Sequence, residues 1–111
     1  MPHCVIEYSQ DLSDKITHIM NAVHAGACAS NLFEENDIKT RAIPYEHCRV
    51  GISNSSFIHV SSKILSGRNS EQKILLNAAI INHINRIGIK NCSITAEAVD
   101  IHKESYAKQT T

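Results

Sequence analysis

The chain begins MPHCVIEYS, with Pro2 at the head of an apolar, strand-like run. Proline has no N–H to give a sheet ladder and is confined to edges and strand starts. Once Met1 is removed, as a small second residue generally allows, Pro2 becomes a secondary amine at the chain end. Such an amine can take up a proton and return it. A second stretch, SGRNSEQK, turns at a glycine, presents Arg68 and starts a helix. The first amides of a helix carry partial positive charge, so with Arg68 they form a natural site for a carboxylate. A third stretch, IKTRAIP, holds Lys39 and Arg41 two residues apart, which sets both on one face of a strand. Each stretch has a plainer reading by itself: a strand start, a solvated arginine in a turn, and a sheet edge guarded by charge.

Together the three stretches describe one chemistry. A terminal amine is a general base only when neutral, and the α-amino reference lies at about 7.7–8.0, with proline somewhat more basic. Burial and nearby cations both lower an amine's pKa. One arginine at about 6 Å, at an effective dielectric near ~20, repels the protonated amine by about 3 kcal/mol. That is roughly two pKa units. A proline amine in an apolar pocket beside arginine thus reaches the range best suited to a general base. The same cation binds a substrate carboxylate and stabilises a developing dienolate.

These groups need a scaffold, and the hydrophobic pattern supplies one. HCVIEYS alternates as a strand. In the following DLSDKITHIMNAVHAGACAS, Leu12, Ile16, Ile19, Met20, Val23 and Ala27 make one helical stripe, with Asp11 as its expected N-cap. IKTRAIPYEHCRVG is strand-like, and Pro44 places it at an edge or bulge. The order then repeats. In SFIHVSSKIL, Ile58, Val60, Ser62 and Ile64 alternate with Phe57, His59, Ser61 and Lys63. Asn69 and Gln72 have capping-box spacing at the head of the next helix. Ile74, Ala78, Ile81 and Ile84 form its expected stripe, widened by Leu75, Leu76, Ile80 and Ile87; Gly88 ends it and KNCSITAEAV is the last strand. The expected fold is α+β: two β-α-β units in one domain over residues 1–111, giving a four-stranded sheet with two helices on one face. The other face is left bare, which calls for an oligomer. The tail HKESYAKQTT is polar and either loose or in contact with a neighbour.

Here the sequence resembles the tautomerase superfamily, and within it the 5-carboxymethyl-2-hydroxymuconate isomerases. MPHCVIEYS, IKTRA, FIHVSSKILSGRNSEQK and the tail IHKESYAK carry the resemblance, in consistent order over most of the chain. The resemblance implies a β-α-β repeat, a homotrimer, no metal or organic cofactor, and an amino-terminal proline that moves a proton within an unsaturated 2-hydroxy or 2-keto dicarboxylate. The family's proline falls on Pro2, the arginine of its GR turn on Arg68, and the arginines of its IRSR-like stretch on Lys39 and Arg41. On this pattern Pro2, Arg68 and Arg41 are catalytic, and Lys39, Arg41 and Arg68 bind substrate. Lys39 stands where arginine is expected, and lysine lacks the bidentate fork. Asn69 replaces a Ser or Thr, Lys103 replaces a proline, and the connection between the second and third strands is shortened.

Composition sets the remaining bounds. With 42% hydrophobic and 20% charged residues the chain reads as a folded domain, not as disorder. Eleven basic and eleven acidic side chains cancel, so no overall field steers it to nucleic acid or membrane. The start lacks the pattern of a secretory signal, so a cytoplasmic location is expected, with Cys4, Cys28, Cys48 and Cys92 as buried free thiols. His18 and His24 align poorly on a helix, His47 and Cys48 point apart, and no HExxH or paired CxxC occurs, so no metal is expected. Two other readings stay open: a tautomerase of a different enol acid, and a trimeric scaffold that has lost its chemistry. Retained Met1 favours the second, because Pro2 is then an amide without a basic lone pair.

Overall fold

The structure, a computed structural model, describes residues 1–111. The elements follow in the order β1 (His3–Ser9), a 3-10 segment (Gln10–Lys15), α1 (Ile16–Ala29), a 3-10 turn (Glu35–Asp37), β2 (Lys39–Tyr45), β3 (Ser56–Leu65), α2 (Ser70–Asn85), β4 (Cys92–Ile101) and a last 3-10 turn (Lys103–Ser105). The sheet order is β2-β1-β3-β4. Each helix links two parallel strands, β1 with β2 and β3 with β4, and the two units join through the antiparallel β1–β3 pair. This is the expected α+β repeat. Pro44 sits on the edge strand β2, where its missing N–H costs the sheet least.

The core lies between the sheet and the helices. Cys4, Ile6, Ile58, Val60 and Ile64 point down from the strands onto Ile19, Val23 and Ala27 of α1 and Leu76, Ile80 and Ile84 of α2. The alternation in β3 is as expected, with Ser62 the polar member; its hydroxyl lies 3.7 Å from the Cys4 thiol, so both buried groups find a partner. The opposite face of the sheet carries Glu7, His59, Ser61, Thr95 and Glu97 and has no helix over it. There His59 bonds Thr95 Oγ1 and Glu97 at 2.6 Å each, and Ser61 donates to Glu97 at 2.9 Å. These bonds hold the Glu97 carboxyl below its ordinary pKa.

Several expectations need correction. Asp11 does not cap α1; it lies inside the 3-10 segment that precedes the helix, and its carboxylate accepts from Ser56 Oγ. In α2 the buried stripe is Leu76, Ile80 and Ile84, while Ile74 and Leu75 are about two-thirds exposed. A helix so apolar all round has no single stripe visible in its sequence, and the sheet selects the i, i+4, i+8 set. All four cysteines are free, but only Cys4 is buried and Cys48 is exposed. The capping box is present: Asn69 Oδ1 accepts from the Gln72 amide and Gln72 Oε1 from the Asn69 amide, both at 2.9 Å.

α1 crosses α2 at Gly26. A Cβ there would stand 2.7 Å from Ile80 Cα and 2.9 Å from the Ala79 carbonyl oxygen. Both are backbone atoms and cannot rotate away. Alanine gains about 1 kcal/mol over glycine in a helix, whereas forced overpacking costs about 1–3 kcal/mol. Gly26→Ala is therefore expected to lower the midpoint of thermal unfolding; an unchanged or raised midpoint, followed by circular dichroism, would show that the helices can separate freely at this crossing.

Candidate active site

The topology gathers one end of the sheet around the chain start. β2 begins beside the head of β1, and antiparallel β3 ends there, with His3 opposite both Lys39 and Lys63. Pro2 is fully buried at this end. Its carbonyl accepts the Lys39 amide at 3.0 Å, so the ladder begins on the oxygen that proline keeps and not on the N–H that it lacks.

The terminal amine, carried by Met1, donates to the Asp37 carbonyl at 3.0 Å and lies 4.0 Å from the Asp37 carboxylate. Lys39 Nζ reaches the same carbonyl at 3.2 Å, and Lys108 Nζ pairs with the Asp37 carboxylate at 3.2 Å. Burial lowers the amine's pKa from its ordinary value; Asp37 opposes this, and Lys39, Lys108 and Arg68 add to it. Asp37 is itself held below the ordinary carboxylate range, first by its hydrogen bond from Lys108 and then by the amine.

Beside the amine opens a cleft of about 340 Å³, lined by Met1, Leu32, Phe33, Asp37, Leu65 and Arg68 among others. Arg68 follows Gly67, whose φ of +121° suits only glycine, in the turn between β3 and α2. Its Nη2 donates to the Leu32 carbonyl at 2.8 Å, and the guanidinium stands 5.4 Å above the Phe33 ring. These contacts aim the side chain along the cleft wall. The Asn69 and Gln72 amides are committed to the capping box.

Of the residues singled out in the sequence, Pro2, Lys39 and Arg68 come together at the amine. Arg41 does not line the cleft. It lies in register with Val5 on the open face, and its Nη1 is 3.0 Å from His3 Nδ1. Arginine only donates, so the His3 proton sits on Nε2, which donates to Tyr106 Oη at 3.0 Å; Tyr106 in turn donates to Met1 Sδ at 2.7 Å. Burial, and then the Arg41 guanidinium, lower the His3 pKa and favour the neutral ring this chain requires. The tail thus folds back on its own amino terminus. Asp37, Phe33, Tyr106 and Lys108 were not singled out in the sequence. Asp37 carried a signal there as a carboxylate two residues before Lys39, and Tyr106 and Lys108 lie within the tail stretch IHKESYAK; Phe33 is brought in by the fold.

The fold is that of tautomerase-superfamily structures. The model of the 5-carboxymethyl-2-hydroxymuconate isomerase family matches residues 2–109, and the chain belongs to that family. It is thereby an isomerase-type protein. Among solved structures, a 5-carboxymethyl-2-hydroxymuconate isomerase from Deinococcus radiodurans R1 superposes with a TM-score of 0.74 at 20% identity, covering 99% of this chain and 90% of that one. A 5-carboxymethyl-2-hydroxymuconate delta-isomerase gives 0.79 at 15% identity, covering 100% and 89%. A fused 4-OT symmetric trimer gives 0.79 at 15% identity, covering 96% and 90%. No curated protein matches the chain.

Asp37 is the one group raising the pKa of the terminal amine. Asp37→Asn is expected to lower it further, leaving more neutral amine at pH 7 and faster acylation of the chain terminus by an amine-selective reagent. An unchanged rate would contradict the electrostatic account of the site.

Proposed function

We propose that this protein is an isomerase that shifts a proton within unsaturated 2-hydroxy (2-keto) dicarboxylates such as 5-carboxymethyl-2-hydroxymuconate, with Pro2 as general base and acid after loss of Met1. The observation that carries the reading is the buried chain start set among Lys39, Lys108 and Arg68. Membership of the isomerase family supports it. The neutral Pro2 amine removes the 2-hydroxyl proton of the dienol, and the electron pair moves through the conjugated system. Arg68 and Lys39 hold the carboxylate and the dienolate oxygen. The amine then returns the proton to a distant carbon, forming the C–H bond of the unsaturated ketone. One base serves both transfers because both occur on the same side of a flat substrate. No cofactor is required.

The active unit is a homotrimer in this reading. The bare sheet face, edged by the exposed Ile43, Tyr45 and Val99, supports it, as does the likeness to a symmetric trimer. Arg41 lies on that face and serves the substrate from the subunit boundary. Light scattering is expected to give three times the chain mass.

A second reading rests on Met1. Its sulfur accepts from Tyr106 and its side chain lines the cleft; in a chain that keeps Met1, Pro2 is an amide without a basic lone pair and the only terminal amine is the primary one of Met1. Ultraviolet ketonisation kinetics, on protein whose intact mass shows Met1 absent or present, separate the two. Met1-free protein is expected to turn over the dicarboxylate, and faster than a monoacid; equal rates would point to another enol acid. Pro2→Ala is expected to lower kcat/KM by about 10²–10⁴-fold. Arg68→Ala is expected to raise KM and lower kcat together. An unchanged rate in Pro2→Ala would remove the amine from the mechanism. Since the base must be neutral, kcat/KM is expected to rise with pH through the amine pKa, with its midpoint below the ordinary α-amino range of about 7.7–8.0.

A further inference from the structure

Away from the cleft, at the carboxyl end of α1, three different ligand types converge. We propose that His24, Cys28 and Glu35 form a binding site for a thiophilic divalent cation, zinc above all. His24 and Cys28 are four apart on α1 and project from one helix face. Glu35 opens the 3-10 turn that follows, and its Oε2 lies 2.9 Å from His24 Nε2. The ring nitrogen, the thiol sulfur and a carboxylate oxygen all lie within 4.8 Å of one another. A tetrahedral zinc ion, with bonds of about 2.0–2.3 Å, holds its ligands about 3.3–3.7 Å apart. Closing the present set onto an ion takes side-chain adjustment alone.

The donor set argues for the metal. One imidazole, one thiolate and one carboxylate suit zinc and exclude magnesium and calcium, which prefer oxygen throughout. His24 and Cys28 are half-buried and Glu35 is exposed, so three protein ligands face one side and water takes the fourth position. The turn carrying Glu35 is braced by its own backbone, with the Asp37 and Ile38 amides donating to the Glu34 and Glu35 carbonyls at 3.0 and 3.1 Å.

The position gives the site a consequence. It ties α1 to the segment 30–37, which supplies Leu32, Phe33 and Asp37 to the cleft. Metal at Glu35 stiffens that wall without touching the amine, so the proposal stands apart from the assignment of Pro2.

The test uses the full chain stripped with chelator, then dialysed against zinc chloride alone. One zinc per chain is expected, together with a rise in the unfolding midpoint. Cobalt in its place is expected to give a thiolate-to-metal charge-transfer band in the near ultraviolet. Cys28→Ser should abolish that band, and His24→Gln, Cys28→Ser and Glu35→Gln should each weaken zinc binding by about tenfold or more. Glu35 is exposed on a turn, so Glu35→Gln keeps its fold even if a helix variant does not. The proposal is overturned if the unaltered chain retains no stoichiometric zinc, or if Glu35→Gln and Cys28→Ser bind it undiminished.

Discussion

The structure depends on a proline carbonyl. Pro2 cannot donate to a ladder, so the first bond between the heads of β1 and β2 runs from the Lys39 amide to the Pro2 oxygen. That bond fixes the chain start beside Lys39 and, two residues earlier, Asp37. Strand directions do the rest. β3 runs antiparallel to β1, so its end arrives where β1 begins and delivers Arg68. β4 is parallel to β3 and finishes at the same end of the sheet, Ile101 opposite Leu65, so the tail that follows brings Tyr106 and Lys108. Residues from both ends of the chain and from its middle meet at one amine because of three strand directions.

The electrostatics of that meeting are a contest. Burial acts most strongly on the amine and favours its neutral form, and the cations Lys39, Lys108 and Arg68 act the same way. Asp37 opposes them, yet its carboxylate is already paired with Lys108. Arg68 is held by a carbonyl and an aromatic ring, neither of which cancels its charge. It therefore remains a cation available to a carboxylate.

Much of this was legible in the sequence, for definite reasons. Alternation in SFIHVSSKIL and the Asn69–Gln72 spacing are local, and both took the expected form. The β-α-β repeat followed from element order, since a helix between two strands favours parallel pairing. Asp11 was misread because a 3-10 segment and a helix start share their residue preferences. The buried face of α2 was misread because isoleucine and leucine surround the helix, and only the position of the sheet chooses among them. Arg41 was correctly placed on the face shared with Lys39 along the strand, but flexible side chains diverge: Lys39 bends to Asp37 and Arg41 is held by His3. Lys108 and Tyr106 could not be assigned from local pattern, since their partners lie at the other end of the chain. His24 and Cys28 show helical spacing in the sequence, but Glu35 joins them only once the segment after α1 has turned back.

We propose that this environment keeps the Pro2 amine of a Met1-free chain neutral near physiological pH. The direct measurement is a titration of the Pro2 nitrogen by ¹⁵N nuclear magnetic resonance on protein whose mass shows Met1 absent. A pKa clearly below the ordinary α-amino value of about 7.7–8.0 is the expected result. A value at or above that range would mean that Asp37 outweighs burial and the surrounding cations, and that Pro2 at this position is not a base poised for proton transfer.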